Sequence, residues 1–355
     1  MEREALVARL SEATQSFLDV LTLYIGDRLG LYRALATHGP ATSDELAVRT
    51  GTHERYAREW LEQQTASGLL EVERESADAR ARRYRLPQGH AEVLVDRDSL
   101  HYQAARPMSL LAVARRLPEV LEAFRTGGGV AGEDDEGRLA QAELGRVGFL
   151  RLLGTAWLPA IPDVHARLLQ AEPPARVADL GCGGGWSSIA LARAYPGARV
   201  DGFDIDAQAI AHARRHAAEA GVSERVAFQV SDAADPNLDG RYDLVMAFEA
   251  LHDMPRPVQA LQTMRRLAGD TGAVLVADEK VAETLEAPAD PLTRVNYGWS
   301  VLSCLPSGMV GESAAGTGAV MRPSTLRSYA LEAGFREVEI LPIDHDAWRF
   351  YRLRD

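Results

Sequence analysis

Residues 177–188 read VADLGCGGGWSS: an apolar run stops at an aspartate, four glycines fill five positions, and a helix-forming stretch follows. Glycine at this density strips side chains from a turn so that another group can approach the backbone. Between a strand and a helix, such a turn cradles phosphates, a dinucleotide or another nucleoside cofactor. The turn also constrains its surroundings, because it demands the first half of a strand–helix–strand unit. The rest of the carboxyl-terminal half repeats that unit. Beyond Pro173 short apolar strands are expected at 177–180, 200–203, 226–230, 244–247 and 274–277, each followed by a helix or loop. This alternation predicts a parallel, doubly wound sheet. The closing segments REVEIL and WRFYRL stand close enough to pair antiparallel, and an insertion, 282–322, separates the fifth strand from the last helix, STLRSYALEAGF.

In a sheet of this kind the ligand lies across the carboxyl ends of the strands, so each strand end can be inspected in turn. The first ends at Asp179 and continues through Gly181, Cys182 and Gly183 as G-x-G-x-G, but Trp186 stands where a dinucleotide fingerprint needs glycine. The second ends at Asp204, followed by Ile205, where a carboxylate can accept both hydroxyl protons of a ribose. The third ends in VSDAAD, where the Asp232 side chain and the Ala233 N–H suit an adenine edge. The fourth ends in FEALHD. Asp204 and Asp232 would otherwise cap a helix and a turn. Cys182 reads as a small residue in a tight loop, because nothing near it in sequence would lower its pKa.

Taken together, these four strand ends resemble the class I S-adenosylmethionine-dependent methyltransferases, over residues 176–353. The resemblance implies an α/β, Rossmann-like domain with a seven-stranded sheet and an antiparallel last strand. It implies S-adenosylmethionine as cofactor and S-adenosylhomocysteine as product. It places Asp179, Gly181, Cys182 and Gly183 at the amino-acid part of the cofactor, Asp204 and Ile205 at the ribose, Asp232 and Ala233 at the adenine, and Phe248 on its flank.

Methyl transfer from a sulfonium is an in-line displacement, so an acceptor atom must be held in line and water excluded. A phenol with pKa ~10 must also lose its proton near neutral pH, and histidine is the usual side chain for that work. His252 in FEALHDMPRP resembles the general base of the larger small-molecule O-methyltransferases, although Met254 stands where those enzymes usually carry Trp. Histidine at this place also packs the cofactor edge in relatives that use no base, and both roles stay open. Asp253, or Glu279 from the end of the fifth strand, would orient the imidazole; capping and surface roles are the alternatives. No metal is expected, because the aspartate–aspartate–asparagine set of the catechol-type enzymes cannot be assembled from these strand ends. The insertion carries RVNYGWSVLSCLPSGM, in which Tyr297, Trp299, Leu302 and Met309, with Trp157 from the preceding helical stretch, would wall a pocket for a flat apolar acceptor; core packing is the alternative for each. Glycines in GESAAGTGAV suggest a mobile lid edge.

The first hundred residues read as a helix-turn-helix followed by a hairpin. TSDELAVRTG starts at a Ser43 cap and carries Leu46 and Val48; ERYAREWLEQQTASGLL places Tyr56, Trp60 and Leu61 at helical spacing; LLEVERESADARARRYRL alternates as two strands around a polar turn. That is a mainly helical winged-helix domain, and joined to such a core it resembles the dimerisation domain of two-domain small-molecule O-methyltransferases. The segment FLDVLTLYIGDRLGLYRAL, 17–35, is apolar on more than one face, as a helix shared between subunits should be. The expected organisation is therefore a dimerisation domain over 1–100, a helical linker over 101–172 and a cofactor-binding domain over 173–355. Within the linker, TGGGVAGEDDEG, 126–137, reads as a mobile surface loop, since it lacks the Lys of a phosphate loop and is acidic.

Composition narrows the partners. A formal net charge of −12 over 355 residues argues against a general nucleic-acid or membrane-surface binder. Arg80, Arg82, Arg83 and Arg85 in the wing keep a ligand-responsive DNA-binding regulator in play, whereas Glu54, Glu59 and Glu62 in the would-be recognition helix would face phosphates badly. Two cysteines are too few for a disulfide framework, MEREALVARLSEA lacks the build of a secretory signal, and no apolar run spans a membrane, so a cytoplasmic location is expected. The expected activity is methyl transfer to an oxygen, or to a nitrogen, of a small aromatic or polyketide-like metabolite by a homodimer. The rival is the same cofactor-binding fold used for a non-methylating rearrangement.

Overall fold

The structure, a computed structural model, describes residues 3–355. Met1 and Glu2, which begin both the expected first domain and the charged amino-terminal segment, lie outside the described residues. The chain forms two compact units that divide between Leu111 and Ala112. The helical stretch expected as a linker therefore folds, from Ala112 onward, with the sheet.

The first unit holds α1 (Arg3–Arg28), α2 (Leu31–His38), α3 (Ser43–Thr50), α4 (Glu54–Ala66), the hairpin of β1 (Glu71–Arg74) and β2 (Arg83–Arg85), and α5 (Gln88–Leu94). The helix anticipated across 17–35 is broken. Gly30 takes φ +68°, a left-handed turn that glycine adopts without steric cost, and the chain restarts as α2. The cap of α3 is Thr42, not Ser43: the Thr42 hydroxyl accepts the Glu45 N–H and the Glu45 carboxylate accepts the Thr42 N–H at 2.9 Å. Ser43 is buried instead, and its hydroxyl donates to Glu54 at 2.6 Å. Leu31, Tyr32, Leu35, Leu46, Trp60, Leu61 and Tyr84 make the core, while Val48 and Tyr56 are exposed. The hairpin is tied on by the Tyr84 backbone, which exchanges two hydrogen bonds with Ala41.

The helix α6 (Ala105–Arg115) leads into the second unit. There α7 (Leu117–Thr126) and α8 (Asp135–Gly148) follow, α8 continues as a π-helical stretch over Phe149–Trp157, and α9 (Pro162–Leu168) ends the helical part. The alternating part then runs β3 (Arg176–Leu180), α10 (Trp186–Ala194), β4 (Arg199–Asp204), α11 (Ala207–Glu219), β5 (Val226–Val230), β6 (Leu244–Phe248), α12 (Pro257–Ala268) and β7 (Ala273–Glu279). The insertion folds as α13 (Pro291–Trp299), a π-turn over Ser300–Cys304 and α14 (Leu305–Gly308), and α15 (Pro323–Glu332), β8 (Glu337–Ile340) and β9 (Trp348–Arg354) close the chain.

The strands lie in the order β5-β4-β3-β6-β7-β9-β8, all parallel except β9, which runs antiparallel to both neighbours. Chain order reverses between β3 and β6, so the loops leaving these strands diverge and open a crevice at their carboxyl ends. Apolar clusters cover both faces of the sheet: α9, α10, α11 and the π-helical stretch pack on one, α12 and α15 on the other. The segment expected as a surface loop, 126–137, is mostly exposed and is anchored at Val130. Val130 is buried and its N–H donates to the Pro306 carbonyl at 2.9 Å, and a Cβ on Gly129 would come within 2.4 Å of the Val310 nitrogen. Its missing side chain is what lets the segment lie against α14.

Candidate functional site

The glycine turn rises from β3 into the crevice. Gly181 and Cys182 donate their N–H groups to the Phe203 carbonyl, which lashes the turn to β4. Gly185, at φ +80°, is required by packing, since a Cβ there would strike Phe228 at 2.6 Å. Gly183, at φ +50°, differs: a Cβ would meet nothing within 4 Å, so open space adjoins its backbone. Asp179 is 1% exposed, and the Ser187 and Ser188 hydroxyls donate to its Oδ2 at 2.5 and 2.6 Å. Burial raises its pKa to about 6 against the pull of those two hydroxyls. Through Oδ2 it ties the strand end to the start of α10. Cys182 is also buried, with its thiol pKa raised by burial, which fits a small inert residue.

Asp204 at the end of β4 accepts N–H bonds from Gly183 and Asp206, each at 2.8 Å, one on each oxygen. Burial raises its pKa while those bonds oppose the rise. Each oxygen keeps a further lone pair, which is the capacity a ribose diol needs. Ile205 beside it is 70% exposed, an apolar surface next to the diol position. An open glycine backbone, a carboxylate and an exposed apolar residue in this order fit a nucleoside cofactor. At β5 the fit is less direct. Asp232 accepts the Ala234 N–H at 2.7 Å and pairs with Arg256 at 2.5 Å, so an adenine amino group would share Oδ2 with a guanidinium. Ala233 packs at the edge of the core, and Phe248 is buried, stacked on Phe149 at 6.2 Å.

His252 sits in a 3-10 turn after β6 and is 3% exposed. Its Nδ1 lies 2.5 Å from Asp278 Oδ1, and its Nε2 lies 3.4 Å from Asp253 Oδ1 with the Cys304 thiol of the π-turn against both groups. Burial alone would favour neutral imidazole, but the charges of Asp278 and Asp253 and the hydrogen bonds of Asp278 and Cys304 outweigh it and raise the His252 pKa well above its ordinary value. Asp253 as a residue is partly exposed, yet its Oδ1 is buried. Burial pushes the Cys304 thiol up to about 12.

Glu279 does not orient His252 as expected. Its carboxyl meets that of Glu249, and Glu249 also hydrogen-bonds Trp348. Burial first, and mutual repulsion in the case of Glu279, raise both pKa values, so the two carboxyls share a proton near neutral pH. Glu249 holds φ at +53°, a left-handed conformation that non-glycine residues adopt at functional sites at a cost of ~1–3 kcal/mol.

The expected pocket wall is only partly assembled. Trp157 is 2% exposed and packs against Phe149, Trp348, Phe350 and His345, with centroids 5.3 to 5.9 Å away; it is core, not a pocket wall. Tyr297, Trp299, Leu302 and Met309 are partly buried on the insertion, where the Tyr297 hydroxyl accepts from Arg322 at 3.0 Å and the Met309 backbone lies against Gly129.

Residues 172–301 match the family described as methyltransferase domain, and 18–96 match the Rv2258c-like winged HTH domain. A ubiquinone biosynthesis O-methyltransferase of Burkholderia pseudomallei is 32% identical over 181 residues, covering 50% of this chain and 70% of that protein. The chain belongs to the S-adenosylmethionine-dependent O-methyltransferases. A 27-O-demethylrifamycin SV methyltransferase of Amycolatopsis mediterranei is similar to this O-methyltransferase at 28% identity, over 52% of the chain and 72% of the relative. The fold matches that of human N-acetylserotonin methyltransferase, solved in complex with S-adenosylmethionine, with a TM-score of 0.71 at 18% identity, over 100% of this chain and 98% of the other.

Sequence reasoning about this O-methyltransferase missed Asp278, the nearest partner of His252. A signal existed, because VLVADE ends an apolar strand in two acids and alternation sends them to opposite faces. It also missed Cys304, for which spacing carries no signal, since the insertion alone brings it to His252.

Proposed function

We propose that this O-methyltransferase moves a methyl group from S-adenosylmethionine to a hydroxyl of a small aromatic or polyketide-like molecule, with His252 as the base. The bound cofactor supplies an electrophilic methyl on a sulfonium. The open Gly183 backbone, Asp204 and Ile205 are the residues that would hold it, with Asp232 and Ala233 nearer the adenine. The carrying observation is the His252–Asp278 contact. With Nδ1–H donated to a buried carboxylate, Nε2 is the nitrogen left to take the acceptor's proton, and the imidazolium that results is stabilised by the same carboxylate. Partly buried Tyr297, Trp299, Leu302 and Met309 on the insertion supply apolar surface for a flat acceptor, and the insertion over 282–322 serves as its lid. The names of the two relatives, an O-methyltransferase of ubiquinone biosynthesis and a methyltransferase of 27-O-demethylrifamycin SV, support oxygen as the acceptor atom.

The test is turnover of labelled S-adenosylmethionine with a panel of phenols. We expect methylated phenol from the parent enzyme, and a rate lower by ~10²–10⁴, the usual contribution of a general base, from His252→Ala. Equal rates from both proteins would remove His252 from the chemistry. Cofactor binding without any methylated product across the panel would favour the rearrangement reading.

The winged-helix unit is read as a dimerisation domain, and two observations support this over DNA binding. Arg80, Arg82, Arg83 and Arg85 each pair with a carboxylate, respectively Asp44, Glu62 with Glu75, Glu45 with Glu73, and Glu71. Leu6, Val7, Leu10, Phe17, Leu18 and Ile25 of α1 are exposed, an apolar surface that a second copy would cover. Among the described residues no helix is long and apolar enough to cross a membrane.

A further inference from the structure

His252, Asp253 and Cys304 bring one nitrogen, one oxygen and one sulfur together at the mouth of the base position. The three ligand atoms all lie within 4.8 Å of one another. A tetrahedral zinc with bonds of about 2.0–2.3 Å needs its ligands about 3.3–3.6 Å apart. The His252 Nε2 to Asp253 Oδ1 separation, 3.4 Å, already has that length. Asp253 Oδ1 is buried, and its neighbours are the His252 imidazole and the Cys304 thiol, so the three groups converge on one another. The outer arrangement is also that of a metal site: ligating histidines donate their other N–H to a carboxylate, and His252 Nδ1 meets Asp278 at 2.5 Å.

We propose that these three side chains form a binding site for a thiophilic divalent cation of the zinc class, with the fourth position left to water. Sulfur and imidazole together select zinc over magnesium and calcium, which prefer all-oxygen sites. Binding forms bonds to Cys304 Sγ, His252 Nε2 and Asp253 Oδ1, and releases to solvent the thiol proton and the proton carried on Nε2. The ion is not part of the methyl-transfer chemistry. It occupies the nitrogen that takes the acceptor's proton, so a loaded enzyme is a stopped one; that consequence, unlike the site itself, rests on the reading of His252 as base.

The test adds Co²⁺, a spectroscopic stand-in for Zn²⁺, to the purified full chain and follows absorption. One equivalent should bind with a thiolate-to-cobalt charge-transfer band, and Zn²⁺ should displace it. Cys304→Ser should lose the band, and Asp278→Asn should keep it while binding about 10- to 100-fold more weakly, the usual effect of removing a ligand's supporting carboxylate. Absence of the band in the parent protein, or a band that survives Cys304→Ser, overturns the site. Because a Cys304→Ser protein could misfold, its S-adenosylmethionine affinity is measured alongside and should match the parent. If the parent binds zinc with the expected spectrum and yet methylates at an undiminished rate, the site stands and His252 is not the base.

Discussion

At the scale of single residues, the site is decided by how each carboxylate is already occupied. Asp204 uses one lone pair on each oxygen for the turn and keeps another for a ligand, so Asp204→Ala should weaken S-adenosylmethionine binding by ~1–3 kcal/mol, the scale for charged hydrogen bonds. Calorimetry checks this, and an unchanged affinity would take Asp204 out of the cofactor site. For His252, the neighbouring carboxylates raise the pKa, so the free base appears only as pH rises through that raised value, and turnover should still be climbing above the ordinary histidine range. Asp278→Asn keeps an oxygen to accept Nδ1–H but removes the charge. Its pH–rate profile should rise at lower pH with a smaller plateau rate. A limb that stays in place would mean that some other group titrates.

At the scale of elements, α1 shows how far a pattern can be read. Its large apolar residues at 6, 7, 10, 17, 18 and 25 are exposed, whereas Val20, Leu21 and Leu23 are partly buried, so the apolar residues do not all go to one core-facing side. If α1 is the face that a second copy covers, Leu10→Glu with Phe17→Glu should shift the protein from dimer to monomer in sedimentation, with little effect on the helix itself. A dimer that persists would place the interface elsewhere. The elements of the sheet were legible for a simpler reason. Strands buried on both faces are short apolar runs, and β3, β4, β6 and β7 each end within a residue or two of the expected place. The insertion was not, because α13, the π-turn and α14 carry mixed sequences whose burial depends on partners from distant segments such as Gly129 and Pro306.

At the scale of the whole molecule, a buried pair of carboxyls has a thermodynamic signature. Folding raises the Glu249 and Glu279 pKa values above those of an unfolded chain, so the folded protein holds a proton that the unfolded chain has already released. The stability tied to that proton is complete below the unfolded value of about 4.3 and is lost as pH rises through the folded values. Glu279→Gln, whose amide can donate to Glu249, should flatten this decline in melting temperatures measured from about pH 5 to about pH 9. Parallel curves for the two proteins would show that the pair ionises no differently once folded. The sequence alone determined the order of strands and helices, the glycine turn, the Asp204 position and the winged helix, because each depends on neighbours a few residues away or on burial that repeats with a fixed period. Only the tertiary structure decided that Asp278 rather than Glu279 meets His252, that Trp157 belongs to the core, and that Cys304 reaches His252. Those outcomes depend on which strand ends and loops converge, and contacts between residues far apart in the chain leave no local pattern to read.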